Sequence, residues 1–326
     1  YSSLIMSNNS QGFNHITFSS NRPLKTPIGN FELKIIGGTL TSNPIQGFEN
    51  KNLIATGNDY KNRYLNILSL SYNPFLFKNL YLGFNRAFQQ YTQINPSNKL
   101  TDYYLIALKP LFRNEYEDNS LPIDQVLSGS AKYVFPKEHA EVYFEYGWND
   151  HKDNFRDLGL DPVHAAAYIV GGRKVIPIKK VSQLELSGEY THMAQSVDYV
   201  LRSAGNWYVH GGVVQGMTND RQILGAGSGM GNNVLTTKMT WIKGFTRLGI
   251  SVQHIQHDPM AQAAPTPLQL RDIFWNEWAY GLNGRYRVGR FMLSADVQFT
   301  RSFNYSWDKG ALRDNFYSNL QLSYLW

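Results

Sequence analysis

Two short stretches of this 326-residue chain bring together residue types suited to holding a ligand: Trp148-Asn149-Asp150-His151 and Asn206-Trp207-Tyr208. An indole or phenol ring offers a flat apolar face on which a sugar ring can stack. Amide, carboxylate and imidazole groups beside it can hydrogen-bond the sugar hydroxyls. Trp148, Asp150, His151, Asn206, Trp207 and Tyr208 are therefore the candidate glycan-binding residues. The same rings have a competing use, because tryptophans at strand ends form girdles at a lipid–water interface. All seven tryptophans fit that use. Trp148, Trp207, Trp275, Trp278 and Trp307 fall near one set of strand ends, and Trp241 and Trp326 near the other.

Catalytic chemistry finds little support. With no cysteine in the chain, a thiolate metal site, a disulfide and a cysteine nucleophile are all excluded. The glycine run Gly225–Gly231 is spaced G-x-G-x-G-x-G, which is not a dinucleotide fingerprint, and no helix follows it. Ser228 lacks the nucleophile-elbow context. His151, His164, His192, His210, His254 and His257 are scattered over strand ends with no local partner pattern. The chain reads as a non-enzyme with no catalytic, cofactor-binding or metal residues, and no nucleic-acid partner is expected. The net charge of +6 suits an anionic headgroup or an acidic polysaccharide, and equally an ordinary excess of surface lysine.

The elements that would position these residues are strands. Aromatics make up 14% of the chain, and they favour strands and membrane interfaces. The mean hydropathy of −0.38 reads as soluble. A barrel strand alternates lipid-facing apolar with lumen-facing polar residues, so its average stays hydrophilic. The last strand is the clearest case. Phe316, Leu320, Leu322, Tyr324 and Trp326 share one face with Ser318, while Tyr317, Asn319, Gln321, Ser323 and Leu325 occupy the other. A terminal aromatic after such alternation resembles the signal read by the barrel-assembly machinery, which assigns that role to Leu322, Tyr324 and Trp326. The same period of two runs through Arg290–Asn304, Glu277–Arg287, Gln183–Thr191 and Ala140–Asn149.

Connection lengths separate a membrane barrel from a soluble sandwich. Counted back from the C-terminus, the turns at Val288–Arg290, Lys243–Thr246, Thr218–Arg221, Pro177–Lys180, Pro136–Glu138 and Pro74–Lys78 all fall on the periplasmic side and are short. The long connections around Thr41–Asn62, Gln93–Asp124, His151–His164, Gln195–Gly205, Pro259–Phe274 and Tyr305–Asn315 fall on the outer side. That asymmetry belongs to outer-membrane barrels. The count treats Asn206–Gly216 and Gln222–Met230 as strands, the second bared by Gly225, Gly227 and Gly229 so that something can pack closely on it. Tyr1–Met6 reads as a strand fragment, with upstream strands missing from the chain. The fold expected is one all-β domain over 1–326, a transmembrane antiparallel barrel of about 16–18 strands. Its lumen charges Glu141, Glu145, Glu185, Glu189, Lys238, Arg247, Arg285, Arg287 and Asp296 either pair as an ionic network or line an open channel, and their mixed signs favour the network.

Several segments carry a family likeness. They include Gly12–Phe18, Pro27–Glu32, Tyr81–Arg86, His139–Gly147, Arg202–Gly211, Leu224–Gly227 and Ser302–Tyr305. Together they resemble the capsule assembly Wzi family, over most of the chain from about Gly12 onward. The resemblance implies an integral outer-membrane barrel of about eighteen strands, with a lumen occluded by loop and helical elements, for which residues 93–124 are the candidate here. It implies a surface lectin that helps anchor capsular polysaccharide. Expected partners are outer-membrane lipid and lipopolysaccharide, surface or capsular polysaccharide, and the barrel-assembly machinery. The alternatives are an accessory subunit bound to other outer-membrane proteins and a diffusion channel.

Overall fold

A computed structural model describes residues 2–41, 62–92, 123–149, 162–179, 181–195, 207–210, 213, 215–227, 229–258 and 273–324. Sixteen strands occur among them. They are β1 (Asn14–Ser19), β2 (Leu24–Thr26), β3 (Gly29–Thr41), β4 (Asn62–Pro74), β5 (Leu80–Tyr91), β6 (Asp124–Phe135), β7 (Ala140–Asn149) and β8 (Ala166–Lys179). After these come β9 (Ser182–His192), β10 (Thr218–Asn219), β11 (Gln222–Ile223), β12 (Asn233–Lys243), β13 (Thr246–Gln256), β14 (Asn276–Val288), β15 (Phe291–Phe303) and β16 (Leu312–Tyr324). Fourteen of them form one antiparallel sheet in the order β1-β3-β4-β5-β6-β7-β8-β9-β12-β13-β14-β15-β16, with β2 paired to β3. From β3 onward the wall strands are ten to fourteen residues long, enough to cross a bilayer when tilted.

The alternation read from the sequence sets which side faces out. On β16, Phe316, Leu320 and Leu322 are 65%, 73% and 67% exposed. Their neighbours on β15, Phe299, Ala295 and Leu293, stand on the same face through the pairings Phe299↔Phe316, Ala295↔Leu320 and Leu293↔Leu322. The apolar row continues through Leu282, Tyr280, Ile250, Leu248, Met239, Val170, Phe144 and Val142, all exposed. Exposed apolar residues in continuous rows on successive strands are the pattern of a lipid-facing barrel wall. One sector departs from the pattern. Asn66, Arg86 and Gln125 lie on the outward face of β4–β6, yet are 0%, 4% and 4% exposed. That patch is buried within the protein and does not meet lipid.

The short turns behave as expected. Gly244 and Gly289 each open a two-residue hairpin with φ of +57°, a conformation that glycine adopts without steric cost. Two wall strands in the sequence reading need correcting. In their described residues neither Asn206–Gly216 nor Gln222–Met230 joins the wall; β9 pairs directly with β12 instead, from Ser182↔Lys243 to His192↔Asn233. Removing one descending and one ascending strand leaves the parity of every other strand unchanged. The Thr218–Arg221 turn therefore lies at the outer end, where the Asp220 N–H donates to the Thr41 carbonyl at the top of β3. The physical reason is composition. A run with three bare glycines has no apolar face to give to lipid. Tyr1–Met6 is likewise no strand in its described part: Ser2–Met6 is irregular and runs inside the lumen.

Candidate functional site

Inside the lumen two segments far apart in sequence meet. Ser2–Asn9 and the described residues of 207–227 pack on each other and on the inward faces of β3–β8. Leu4, Ile5, Trp207, Tyr208, Met217, Leu224 and Ala226 form one core with wall residues Ile36, Leu40, Leu65, Ile67, Ala87, Val126, Ala167 and Ile169. The wall residues belong to the outer halves of their strands, so the plug occupies the outer part of the barrel.

Tyr208 is the joint of this plug. Its hydroxyl donates to the Leu4 carbonyl at 2.8 Å and accepts from the Ala226 N–H at 2.8 Å. Burial pushes its phenol well above the usual tyrosine range, which keeps the proton in place as a donor. The bare glycines let the segments close. A Cβ on Gly225 would lie 2.3 Å from the Leu4 carbonyl oxygen, and one on Gly227 would lie 2.3 Å from Asn9. The close packing expected of this glycine run is thus present, inside the barrel and not in its wall. Polar ties hold the rest. The Ser7 N–H donates to Leu224 at 2.7 Å, and the Asn9 amide donates to Ile223 at 2.9 Å. Arg63, fully buried on β4, donates to the carbonyls of Gly216 and Thr218 and to Gln89. Most of its guanidinium donors meet fixed acceptors, as a buried cation requires.

Below the plug the lumen is polar. Two adjoining cavities of about 680 and 700 Å³ both touch Ser2 and Tyr143. Glu145, Lys132 and Glu32 line one, and Arg173, Glu185, Glu189 and Lys238 line the other. Glu145 accepts from the Leu4 N–H at 3.1 Å and from Ser128 at 2.6 Å. Glu189 accepts from Ser2 at 2.7 Å and from the Tyr143 hydroxyl at 2.6 Å. Tyr143 reaches Glu189 by lying across Gly171, where a Cβ would meet its hydroxyl at 2.4 Å. Arg173 pairs with Glu141 at 3.2 Å and Glu185 at 3.6 Å. The expected ionic network therefore exists on β7–β9. Lys238, Arg247, Arg285, Arg287 and Asp296 form no ion pair with another described residue.

The candidate glycan residues are only partly brought together. Trp148 points outward and donates its indole N–H to the Pro162 carbonyl at 2.9 Å, beside Tyr146, whose hydroxyl donates to the same oxygen at 2.9 Å. Trp207 lies inside the lumen with its ring against the wall at Gly147 and donates its indole N–H to the Ala165 carbonyl at 3.0 Å. The two indoles thus clasp one turn, 162–165, from opposite sides of the wall. Trp207 and Tyr208 are 2% and 1% exposed, packed and not displayed at the rim, because Gly147 opens a slot that the Trp207 ring fills. Asp150, His151 and Asn206 lie outside the described residues, as do Trp326 and nearly all of the 93–124 segment. Leu322 and Tyr324 stand on the outward face, with the Tyr324 ring 5.3 Å from that of Phe291. The sequence carries no signal that marks Leu4 and Ser7 as plug residues or Arg63 as the wall residue that ties the plug down. The alternating glycines are the nearest signal, but they name the groove and not its occupant. Among the described residues no group of three or more His, Asp or Glu could hold a metal.

The family model of capsule assembly protein Wzi matches residues 1–316. Among solved structures, the barrel superposes on Wzi of Escherichia coli, an outer-membrane protein involved in group 1 capsule assembly and a carbohydrate-binding β-barrel. The TM-score is 0.69 at 12% identity, covering 98% of this chain and 63% of that one. The chain therefore spans under two thirds of that protein, and at this identity the likeness is one of fold. The outer-membrane channel DcaP of Acinetobacter baumannii aligns with a TM-score of 0.38 at 9% identity, over 97% of this chain and 85% of that one. No curated protein matches.

Proposed function

Since the chain belongs to the capsule assembly protein Wzi family, whose model covers residues 1–316, we propose that this integral outer-membrane barrel binds or anchors capsular polysaccharide at the cell surface without catalysing a reaction. The observation that carries the reading is the plug. A packed core joined by the Tyr208 hydroxyl fills the outer lumen over β3–β8, which suits a surface that holds a polymer and opposes a diffusion channel. The rim site proposed for the sugar comprises Trp148, Asp150, His151, Asn206, Trp207 and Tyr208, and Trp148 and Trp207 both hydrogen-bond the 162–165 turn. The outward apolar rows suit outer-membrane lipid and lipopolysaccharide, and the Leu322, Tyr324 and Trp326 tail suits the barrel-assembly machinery.

The test is a pair of measurements on purified protein. Capsular polysaccharide from the producing strain should bind the detergent-solubilised barrel, and planar bilayers should show no stable open conductance. Absence of polysaccharide binding, or a steady ohmic pore, would overturn the reading in favour of an accessory subunit or a channel respectively.

A further inference from the structure

The outer ends of β13–β16 carry a second aromatic group that the plug does not use. Past the last wall pair, Gln256↔Asn276, the His257 N–H donates to the Trp275 carbonyl at 2.9 Å, so the ladder runs one step further. His257 and Trp275 therefore follow the inward row of Ile255 and Glu277, opposite to the lipid-facing Trp278. Their rings stack with centroids 3.7 Å apart. Trp275 also meets Tyr305 and Trp307, each edge-on at 5.1 Å. A girdle residue faces lipid; this group faces the mouth.

The turn that presents Tyr305 and Trp307 is unusual. Asn304, Ser306 and Trp307 have φ of +51°, +57° and +59°, a region that non-glycine residues, bulky ones above all, rarely adopt. It is tightly held all the same. Asn304 accepts from the Gly310 N–H at 2.9 Å and donates to Phe274 at 3.1 Å, and the Tyr305 N–H donates to Ala311 at 3.1 Å. Strained backbone fixed this firmly is a mark of functional sites. Tyr305 is nonetheless 41% exposed. The Arg313 guanidinium lies 5.9 Å from its ring centroid and has no carboxylate partner among the described residues, whereas the outward Arg301 is paired with Asp314 at 2.8 Å. The Trp307 indole nitrogen is buried without an acceptor among the described residues.

We propose that Tyr305, Trp307 and Arg313, backed by Trp275 and His257, form a second polysaccharide subsite that takes a carboxylate-bearing pyranose. The sugar face stacks on the exposed Tyr305 ring, and its carboxylate pairs with the Arg313 guanidinium, the geometry that a planar guanidinium favours. The site rests on the polysaccharide-binding reading above and names the chemistry of one of its sugars.

The experiment measures binding of full-length detergent-solubilised protein to two probes, polygalacturonate oligosaccharides and neutral dextran oligosaccharides, alongside the strain's capsular polysaccharide. Wild type should prefer the acidic probe, and Tyr305→Ala should weaken its binding about five- to thirtyfold, the loss typical of one aromatic contact. Arg313→Gln should abolish the preference for acidic over neutral probe while leaving neutral binding within about twofold. Tyr305 holds its turn through backbone bonds, so Tyr305→Ala should keep its melting temperature. Trp278→Ala, on the lipid face, should lower melting temperature and leave affinity unchanged. Wild-type binding of the capsular polysaccharide with unaltered affinity in both Tyr305→Ala and Arg313→Gln overturns the subsite alone. No binding of any glycan by wild type overturns the broader reading, and the subsite with it.

Discussion

Replacing Tyr208 by Phe would test whether the plug is held by its one shared hydroxyl. The ring and its packing against Trp207, at 5.7 Å between centroids, remain. Two groups lose their partner, the carbonyl of Leu4 and the N–H of Ala226, in residues 0% and 1% exposed. A buried polar group left unpaired costs ~1–3 kcal/mol, so the plug should loosen by ~2–6 kcal/mol. Even the lower figure is about a thirtyfold change in the opening equilibrium. The Ser7 amide, bonded to Leu224 at 2.7 Å, reports that opening by hydrogen exchange. It should exchange at least about thirtyfold faster, while amides in the β14–β15 and β15–β16 ladders keep their protection. Heat-modifiable migration on gels should be unchanged, because the wall ladder is untouched. Unaltered Ser7 exchange in Tyr208→Phe would refute the idea that this hydroxyl ties the two segments together.

Gly147→Val should displace the Trp207 ring, since even a Cβ there lies 2.9 Å from it, and a cost of ~1–3 kcal/mol should appear with red-shifted tryptophan fluorescence. Replacing Tyr324 and Trp326 by Ser should sharply lower outer-membrane abundance, and normal levels of folded protein would sink the assembly-signal argument. In this cysteine-free chain, single cysteines within 93–124, 259–274 and 305–315 should react with an impermeant maleimide on whole cells. Cysteines at Gly244 or Gly289 should react only after lysis, and the reverse pattern would invert the topology.

Wall strands were legible in the sequence because a membrane barrel writes its sidedness residue by residue. Ala140–Asn149 coincides with β7, and Arg290–Asn304 differs from β15 by one residue at each end. The lumen was not legible in the same way. Trp207 in Asn206-Trp207-Tyr208 looks like a rim aromatic, and only the slot at Gly147 and the Ala165 acceptor show that it turns inward. The strand parity read from the sequence requires Gln222–Met230 as a strand once Asn206–Gly216 is one, and because the two enter and leave as a pair, a correct topology elsewhere does not expose the error. Leu4 and Ser7 carry no motif. Their partners, Glu145, Tyr208 and Leu224, are set by three-dimensional closure, which local patterning does not encode.

The plug also imposes an order on biogenesis. Wall pairings join strands adjacent in the chain at every step except β1 to β3 and β9 to β12, so most of the sheet can zip hairpin by hairpin. The bonds from Ser2 to Glu189, Leu4 to Tyr208 and Ser7 to Gly225 span 187, 204 and 218 residues. Closing a loop of ~200 residues costs roughly 5 kcal/mol of chain entropy before any such contact forms. Pairing of the wall strands meets most of that cost, so docking of residues 2–9 is expected after the wall has largely formed. The expected consequence is an assembly species with its wall strands paired and its outer lumen not yet filled, which late protection of the Ser7 amide in pulse-labelled hydrogen exchange would reveal.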